Sequence, residues 1–497
     1  MTSVIFKEKF TKNYDIRHHL RKIHMTSVIK RILQGCVLEN VIYSENMKTN
    51  SLEKKLFISK RILLFKSKKN GYLLFCGNSN SFYQLEDENV PYVKKMIEEK
   101  DDTCLPEEIR QEFIKSGVLL NENDDSFFER MKFISYRIRF SRSQLFLTIA
   151  PTMACNFKCV YCYEGDRAKD VCSNNVTMSE KTINQLVEFI RKSGAKKLRV
   201  EWYGGEPLCA WEKIKDFNKK IEALNLEKYE QQIVTNGSLI DKEKIKYFAE
   251  HHFKNIQITL DGKEETHNKN RPMKNGNNSY KAVINALDLI FKYYKRTNTK
   301  LSVSVRVNIS KENSDEYYQL FKKLNDEYEN LFYVYPAFVR KNSNEDKHAS
   351  SCLNFSDEAE FILKLAKEKR IGTYNLFPKS NKLVSCGVNL INNYVVNTNG
   401  DLYKCWEDIG EKKYCVGNIF EGTKDENNNN YVYVMKSSGF ENEKCKNCLF
   451  LYSCLGGCPR FRLNNLNAKE EINSVCTNIK NNPEEFLETY FELKNNN

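Results

Sequence analysis

Ten of the seventeen cysteines in this 497-residue chain fall into two groups whose spacing could do chemistry. Cys155-x3-Cys159-x2-Cys162 puts three thiols on one short loop, and Cys386, Cys405, Cys445, Cys448, Cys454, Cys458 and Cys476 form the second group. Three close thiolates suit an iron-sulfur cluster, and a cube of four irons would keep one corner free for a substrate. A structural zinc site is the alternative; it asks for four closing ligands, and only Cys172 lies near enough in sequence to be a fourth. Cys36, Cys76, Cys104, Cys172, Cys209, Cys352 and Cys415 are scattered.

Disulfides are not expected. The N-terminus meets Lys7, Glu8 and Lys9 before a signal-peptide core could form, and no apolar run approaches the roughly 20 residues that span a bilayer. The chain therefore reads as cytoplasmic, where thiols stay reduced. The 78 Lys and Arg exceed the 65 Asp and Glu by 13, but the two signs alternate along the whole length. That pattern is a solvated surface, with no nucleic-acid stripe and no membrane partner. The seven histidines show no ligand spacing, His251 and His252 end a helix at the surface, and no Ser/His/Asp or paired-carboxylate arrangement stands out.

These loops need elements to hold them. At about 150 residues per domain the length argues for roughly three domains, and 41% hydrophobic residues suffice for cores. Strand-like runs at 145–149, 198–203, 232–235, 256–260, 301–309 and 332–338 alternate with amphipathic stretches at 180–193, 213–224, 242–251, 280–294 and 314–328. Six such units predict an α/β fold, a parallel sheet or partial barrel with its chemistry on loops at the C-terminal strand ends. The first cysteine group follows the first of these strands directly.

Upstream, short strands at 62–65, 72–75, 81–85 and 118–120 with helices at 90–99 and 107–116 predict a small winged-helix-like module. Met1 to Ile5 recurs word for word at Met25 to Ile29, which reads as an alternative start or chance. Downstream, a helix at 357–369 leads into a turn-rich cysteine region with a surface insertion at 427–430, and a helix at 483–493 closes the chain. The expected division is an N-terminal extension at 1–50, the small module at 51–130, a core at 140–345, a bridge at 346–380, the cysteine-rich domain at 381–485 and a helix end at 486–497.

The Cys-x3-Cys-x2-Cys loop after the first strand resembles the radical S-adenosylmethionine (SAM) superfamily, so the core is expected to be a partial (β/α)6 radical SAM barrel. Other strand-end residues fit the same resemblance. Gly204-Gly205-Glu206-Pro207 looks like the motif that receives the methionyl amino group, its glycines allowing close backbone approach and Glu206 offering an anionic acceptor. Tyr161 matches the aromatic beside the adenine. Thr235-Asn236-Gly237 and Thr259-Leu260-Asp261-Gly262 match loops around SAM and substrate. Each is only a turn signal alone; in order, at successive strand ends, they reinforce one another.

Cys386-x13-Gly400-x4-Cys405, then Cys445-x2-Cys448-x5-Cys454-x3-Cys458 and Cys476, resembles the SPASM extension of that superfamily. The resemblance implies one auxiliary four-iron cluster on Cys445, Cys448, Cys454 and Cys476 and another on Cys386, Cys405 and Cys458. The second lacks one thiolate, so its last iron is either open to a substrate thiolate or held from elsewhere, with Cys352 and Cys415 the nearest candidates. A zinc-ribbon-like element is the structural alternative for this region.

SPASM enzymes mostly act on peptides or proteins. In the sulfatase activators an Asp follows the cysteine of the Gly-x4-Cys element as the presumed base; here Trp406 stands there and cannot take a proton. The module at about 52–120 resembles a leader-peptide-binding element, which takes a leader as an added strand. The reading is therefore an oxidoreductase that matures a ribosomally made, cysteine-rich precursor peptide by thioether crosslinks, fed by a low-potential donor such as flavodoxin or ferredoxin. Carbon-carbon crosslinking and formylglycine formation are the alternatives within enzymes. An iron-sulfur electron carrier or scaffold is the alternative outside them, though it needs neither the Gly-Gly-Glu-Pro motif nor an open three-cysteine loop.

Overall fold

In the computed structural model the described residues are 29–31, 55–164, 176–341, 349–372, 376–378, 382–423, 428–466 and 474–495. The repeat at 1–5 and 25–29 lies outside them except for Ile29, as do Cys36, Cys172 and Asn427.

The hairpin signals around Asn70-Gly71 and Gly77 to Asn80 give an antiparallel sheet of β1 (Ile29–Arg31), β3 (Ile62–Lys66), β4 (Tyr72–Cys76) and β5 (Ser81–Leu85), in the order β1-β5-β4-β3. Outside that sheet, β2 (Phe57–Ile58) pairs with β6 (Leu119–Leu120). Side chains alternate across the strands. Leu74, Cys76, Tyr83 and Leu85 pack on the helices Val90–Glu99 and Glu107–Lys115. Phe65, Leu73, Phe75 and Phe82 instead join the main core of the molecule. The sheet is thus buried on both faces.

A helix absent from the sequence expectations, Asp124–Arg139, follows and runs past residue 130. Asn123 caps it by accepting from Ser126 N. Its apolar side, Phe127, Phe128 and Met131, packs on Phe440, Leu451 and Tyr452 of the second cysteine region.

Six parallel strands form the centre: β7 (Gln144–Ile149), β8 (Lys197–Trp202), β9 (Lys228–Thr235), β10 (Phe253–Thr259), β11 (Val303–Ile309) and β12 (Tyr333–Phe338). Leu145, Leu147 and Ile149 alternate with half-buried neighbours, and Leu198, Val200 and Trp202 do the same. The buried set packs under the helices Glu180–Lys192, Trp211–Glu222, Lys242–Glu250, Ser279–Thr297 and Tyr317–Glu327. Each fully buried aliphatic or aromatic side chain contributes about 1.5–3 kcal/mol. The intervening positions carry polar groups such as Arg199, which donates to Gln232 at 3.3 Å, and Gln257, which accepts from Tyr335 at 2.7 Å. Side chains of Ser179, Asp241 and Asn278 cap three of the helices.

The expected elements differ from this at their edges. β9 begins at Lys228, four residues early, because Lys-Tyr-Glu-Gln has no apolar run. The stretch at 314–328 is a 3-10 turn, Ser314–Glu316, before the helix. The turn-rich region holds strands: β13 (Asn393–Val396) pairs parallel with β7, and β14 (Asp401–Tyr403), β15 (Gly417–Asn418) and β16 (Gly422–Thr423) follow antiparallel. One ten-stranded sheet therefore runs from the strand before the first cysteine loop to β14, which leads into Cys405, while Cys445 to Cys476 lie in the helical segment beyond it. Of the asparagine run, Asn428–Tyr431 is a helical turn in which Asn428 is exposed and Asn430 buried. Among the described residues no helix is long and apolar enough to cross a membrane.

Candidate functional site

The loop leaving β7 is fixed by backbone bonds on both sides. Lys158 N donates to Pro272 O and Val160 N to Asn270 O, each at 2.9 Å. Lys274 N returns a bond to Asn156 O at 2.9 Å, and Phe157 bridges Met273. Cys162 N donates to Cys159 O at 3.2 Å, tightening the second half of the motif. Cys155 and Cys159 are half-buried and Cys162 is exposed.

Gly204 and Gly205 lie against the residues that lead into this loop. A Cβ on Gly204 would sit 2.6 Å from Thr152 O and 2.8 Å from Ala150 Cβ, and one on Gly205 would overlap the Met153 and Ala154 carbonyls. Gly204 also needs its φ of +105°. In this contact Gly205 N donates to Thr152 O at 3.1 Å and Glu206 N to Ala154 O at 2.8 Å.

Glu206 is buried, and its carboxylate accepts from Leu208 N at 3.0 Å, Thr235 Oγ1 at 2.7 Å and Asn236 N at 2.7 Å. Burial raises its pKa, against those three bonds and Arg271. Pro207 starts the short 3-10 turn after it. Asn236 Nδ2 donates to Asn156 Oδ1 at 2.8 Å, which ties the β9 loop to the cysteine loop.

Tyr161 stands at the centre of a second network. Its hydroxyl donates to Asp261 and accepts from Arg271 Nη1 at 3.0 Å and Asn308 Nδ2 at 2.9 Å. Asn308 N also bonds Asp261 Oδ1 at 3.1 Å. Asp261 is buried, which raises its pKa, while the Arg271 charge pulls it back down. Thr259, at the end of β10, is buried. Asp261 N donates to His267 Nδ1 at 3.0 Å, so the imidazole accepts there and carries its proton on Nε2. Among the described residues, His267 Nε2 and Arg271 Nε are buried donors with no hydrogen-bond partner.

Burial pushes the Cys155 thiol up to about 12, with Glu206 adding to it. Burial raises Cys159 as well, opposed by Arg271. Three thiols beside a buried cation, two buried carboxylates and two unpaired buried donors fit a thiolate-bound cluster with a zwitterionic ligand; cluster irons take thiolates in place of those protons. Among the described residues no three His, Cys, Asp or Glu side chains are placed to hold a single metal ion.

In the second group, Cys386 and Cys405 pack in one cluster with Val388 and Tyr433; Cys458 adds to the cost of charging Cys405, and Cys386 to that of charging Cys458. In the same way Cys445 and Cys476 add to the cost of charging Cys448, and Cys445 and Cys448 to that of charging Cys454. Burial pushes Cys458 to about 11 and raises Cys386, Cys405, Cys448 and Cys454. Cations accompany them: Arg462 Nη2 lies 3.4 Å from Cys445 Sγ and Lys480 Nζ 3.6 Å from Cys476 Sγ. Cys415 packs instead with Ala150, Met153 and Tyr403, and its thiol donates to Gly417 O at 3.1 Å.

Trp406 joins the two regions, stacked on Tyr203, whose hydroxyl lies 2.6 Å from that of Tyr163. The carboxylates after it are taken up. Arg460 donates to Asp408 and to Glu407, both at 2.9 Å, and Tyr433 donates to Asp408.

Sequence reasoning missed Arg271, His267 and Asn308. The four-residue step from His267 to Arg271 after the Asp261-Gly262 turn was the available signal. Arg460, Tyr163 and Tyr203 had none, since their partners are distant in sequence.

Residues 149–324 match the Radical SAM superfamily. The chain is 26% identical over 377 residues to the cysteine-type anaerobic sulfatase-maturating enzyme of Clostridium perfringens strain 13, covering 70% of this chain and 96% of that one. It is 25% identical over 371 residues to the serine-type enzyme of Bacteroides thetaiotaomicron, covering 67% and 87%. The solved structure of native anSMEcpe with bound AdoMet shares the fold, with a TM-score of 0.56 at 21% identity over 71% of this chain and 99% of that one.

Proposed function

We propose that this chain, a radical SAM enzyme that works with a four-iron cluster and SAM, matures a cysteine-bearing peptide, and that its product is a thioether. Action on a peptide or protein is supported by the sulfatase-maturating relatives, which align over two thirds of the chain or more. When bound, the cluster and SAM supply a one-electron cleavage that yields a hydrogen-abstracting carbon radical.

The residues have separate tasks in this reading. Cys155, Cys159 and Cys162 hold the cluster. Glu206 accepts the methionyl ammonium at the lone pair its three donors leave over. Tyr161, Asn236, Thr259 and Asp261 shape the rest of the SAM site, and Arg271 supplies the cation for the methionyl carboxylate. Cys445, Cys448, Cys454 and Cys476 hold one auxiliary cluster, and Cys386, Cys405 and Cys458 another, whose remaining iron is open to a substrate thiolate. The module at 51–130 takes the leader of the precursor, and a flavodoxin or ferredoxin supplies the electron.

One observation carries the thioether over formylglycine. The residue after Cys405 is an aromatic ring stacked on Tyr203, and Arg460 and Tyr433 engage the next two carboxylates. An indole takes up no proton, and its stacked ring offers the substrate an apolar wall against which sulfur and carbon can be held for bond formation. Formylglycine formation stays as the second reading because both relatives named above are sulfatase-maturating enzymes.

The test is to search the neighbouring reading frames for a short cysteine-rich peptide and to react it anaerobically with reconstituted enzyme, SAM and dithionite, followed by mass spectrometry. A thioether removes two hydrogens and keeps the sulfur. Formylglycine from cysteine loses two hydrogens and exchanges sulfur for oxygen, and that product would overturn the first reading.

A further inference from the structure

Arg61 lies in the turn before β3, far in sequence from either cysteine group, yet it is 95% buried and its side chain ends on the second. Its guanidinium donates from Nη1 to Asn78 Oδ1 at 3.2 Å and to Asp124 Oδ1 at 3.1 Å, and from Nη2 to the carbonyl of Lys446. It also lies 5.1 Å over the Tyr452 ring. Lys446 sits between Cys445 and Cys448, in a turn closed by Cys448 N donating to Cys445 O at 3.0 Å.

Asp124 and Asn78 orient the guanidinium. Asp124 Oδ2 accepts from Lys60 N at 2.7 Å, Asn78 Nδ2 donates to Asp124 Oδ1 at 3.2 Å, and Arg61 O accepts from Gly77 N at 2.7 Å. The hairpin turn that carries Gly77 and Asn78 also touches the cysteine region. A Cβ on Gly77 would overlap the Leu449 carbonyl, next to Cys448, and Phe75 packs on Phe450 with ring centroids 5.8 Å apart. Arg61 therefore holds one end of the Cys445–Cys448 turn while the hairpin backs the other.

We infer that Arg61 is a positioning residue for the Cys445–Cys448 turn and makes the N-terminal sheet a working part of the auxiliary cluster site. The inference rests on the assignment of Cys445 and Cys448 as cluster ligands. The planar fork is what lets one side chain serve an amide, a carboxylate and a main-chain carbonyl together; a lysine ammonium on a flexible stem cannot span all three. Peptide groups that orient the ligands tune a cluster's potential and its retention, so the effect of Arg61 is read in the cluster itself.

The experiment uses the full chain in a Cys155→Ala/Cys159→Ala/Cys162→Ala background, where iron and paramagnetic signal come from the second group alone. Arg61→Lys, Arg61→Gln and Cys448→Ala are reconstituted anaerobically and compared by iron content, by the resonance spectrum after dithionite and by the rate of iron loss to a chelator. Near-ultraviolet circular dichroism checks that each variant is folded. Cys448→Ala is expected to lose about four irons per chain. Folded Arg61→Lys and Arg61→Gln are expected to shift the resonance of that cluster and to lose its iron several-fold faster. If Arg61→Gln does not fold, Arg61→Lys carries the comparison alone. Parental spectra and iron retention in a folded Arg61 variant, beside iron loss in Cys448→Ala, would overturn the role of Arg61. Full iron and an unchanged spectrum in Cys448→Ala would instead overturn the ligand assignment beneath it.

Discussion

Trp406 lies flat against Tyr203, with ring centroids 5.3 Å apart and planes 6° from parallel. Trp406 follows Cys405, Tyr203 precedes Gly204, and the Tyr163 hydroxyl that Tyr203 meets follows Cys162. Two noncovalent contacts thus connect the first cysteine loop with the second group. A stacked pair of this kind contributes about 0.5–1.5 kcal/mol beyond its buried area. Trp406→Ala should therefore fold with a small drop in melting temperature. It should still cleave SAM while forming at least about ten-fold less product, a loss of about 1.4 kcal/mol of transition-state stabilisation. Measuring 5'-deoxyadenosine against modified peptide checks this, and an equal fall in both would argue against a substrate-facing wall.

The two cysteine groups should separate by function. Cys162→Ala is expected to abolish SAM cleavage without unfolding the chain, because its side chain is exposed. Cys454→Ala should keep a fraction of uncoupled cleavage and make no product. Full product from the Cys454 variant would remove the auxiliary assignment.

Gly205→Ala tests the contact behind the first loop. Its Cβ would overlap the Met153 and Ala154 carbonyls, which are backbone and cannot swing away. Overpacking of this kind costs about 1–3 kcal/mol, and here the strain falls on the residues before Cys155. The variant should lose iron from the first group and keep that of the second, as read by iron content with and without Cys448→Ala.

His267 gives the fold a pH dependence. Burial first, and the Arg271 charge second, hold its pKa well below 6.5, so it stays neutral in the folded chain. The unfolded chain takes up a proton there near pH 6.5. The contribution of His267 is complete above that pH and falls as pH drops from it toward the folded value. Melting curves from about pH 7.5 to about pH 5.5 should show a shallower loss for His267→Gln than for the parent.

Much of this was legible in the sequence where the signal is local. The strands β7, β8 and β12 began and ended within about a residue of their apolar runs, because a strand buried under helices must be apolar at alternate positions. The helix Asp124–Arg139 was not legible. Its buried face is set by Phe440 and Tyr452, over 300 residues away, and Phe133 and Phe140 are exposed and blur the period. Strands β13 to β16 are two to four residues long and owe their existence to the neighbour they pair with. In the site, motif residues were visible because several lie on one short stretch each. Arg271, Asn308 and Arg460 act on groups from other stretches, and one residue type at one position carries no spacing to read.

The parallel pairing of β13 with β7 has a practical consequence for dissecting the molecule. Asn393 to Val396 cover the flank of Phe146 to Ile149, the strand that launches Cys155. A fragment that stops before residue 393 would leave a row of bare amides and carbonyls beside its most reactive loop. Such an edge recruits strands from other copies. Truncation should therefore yield aggregates instead of a minimal enzyme, and the two halves have to be made as one polypeptide.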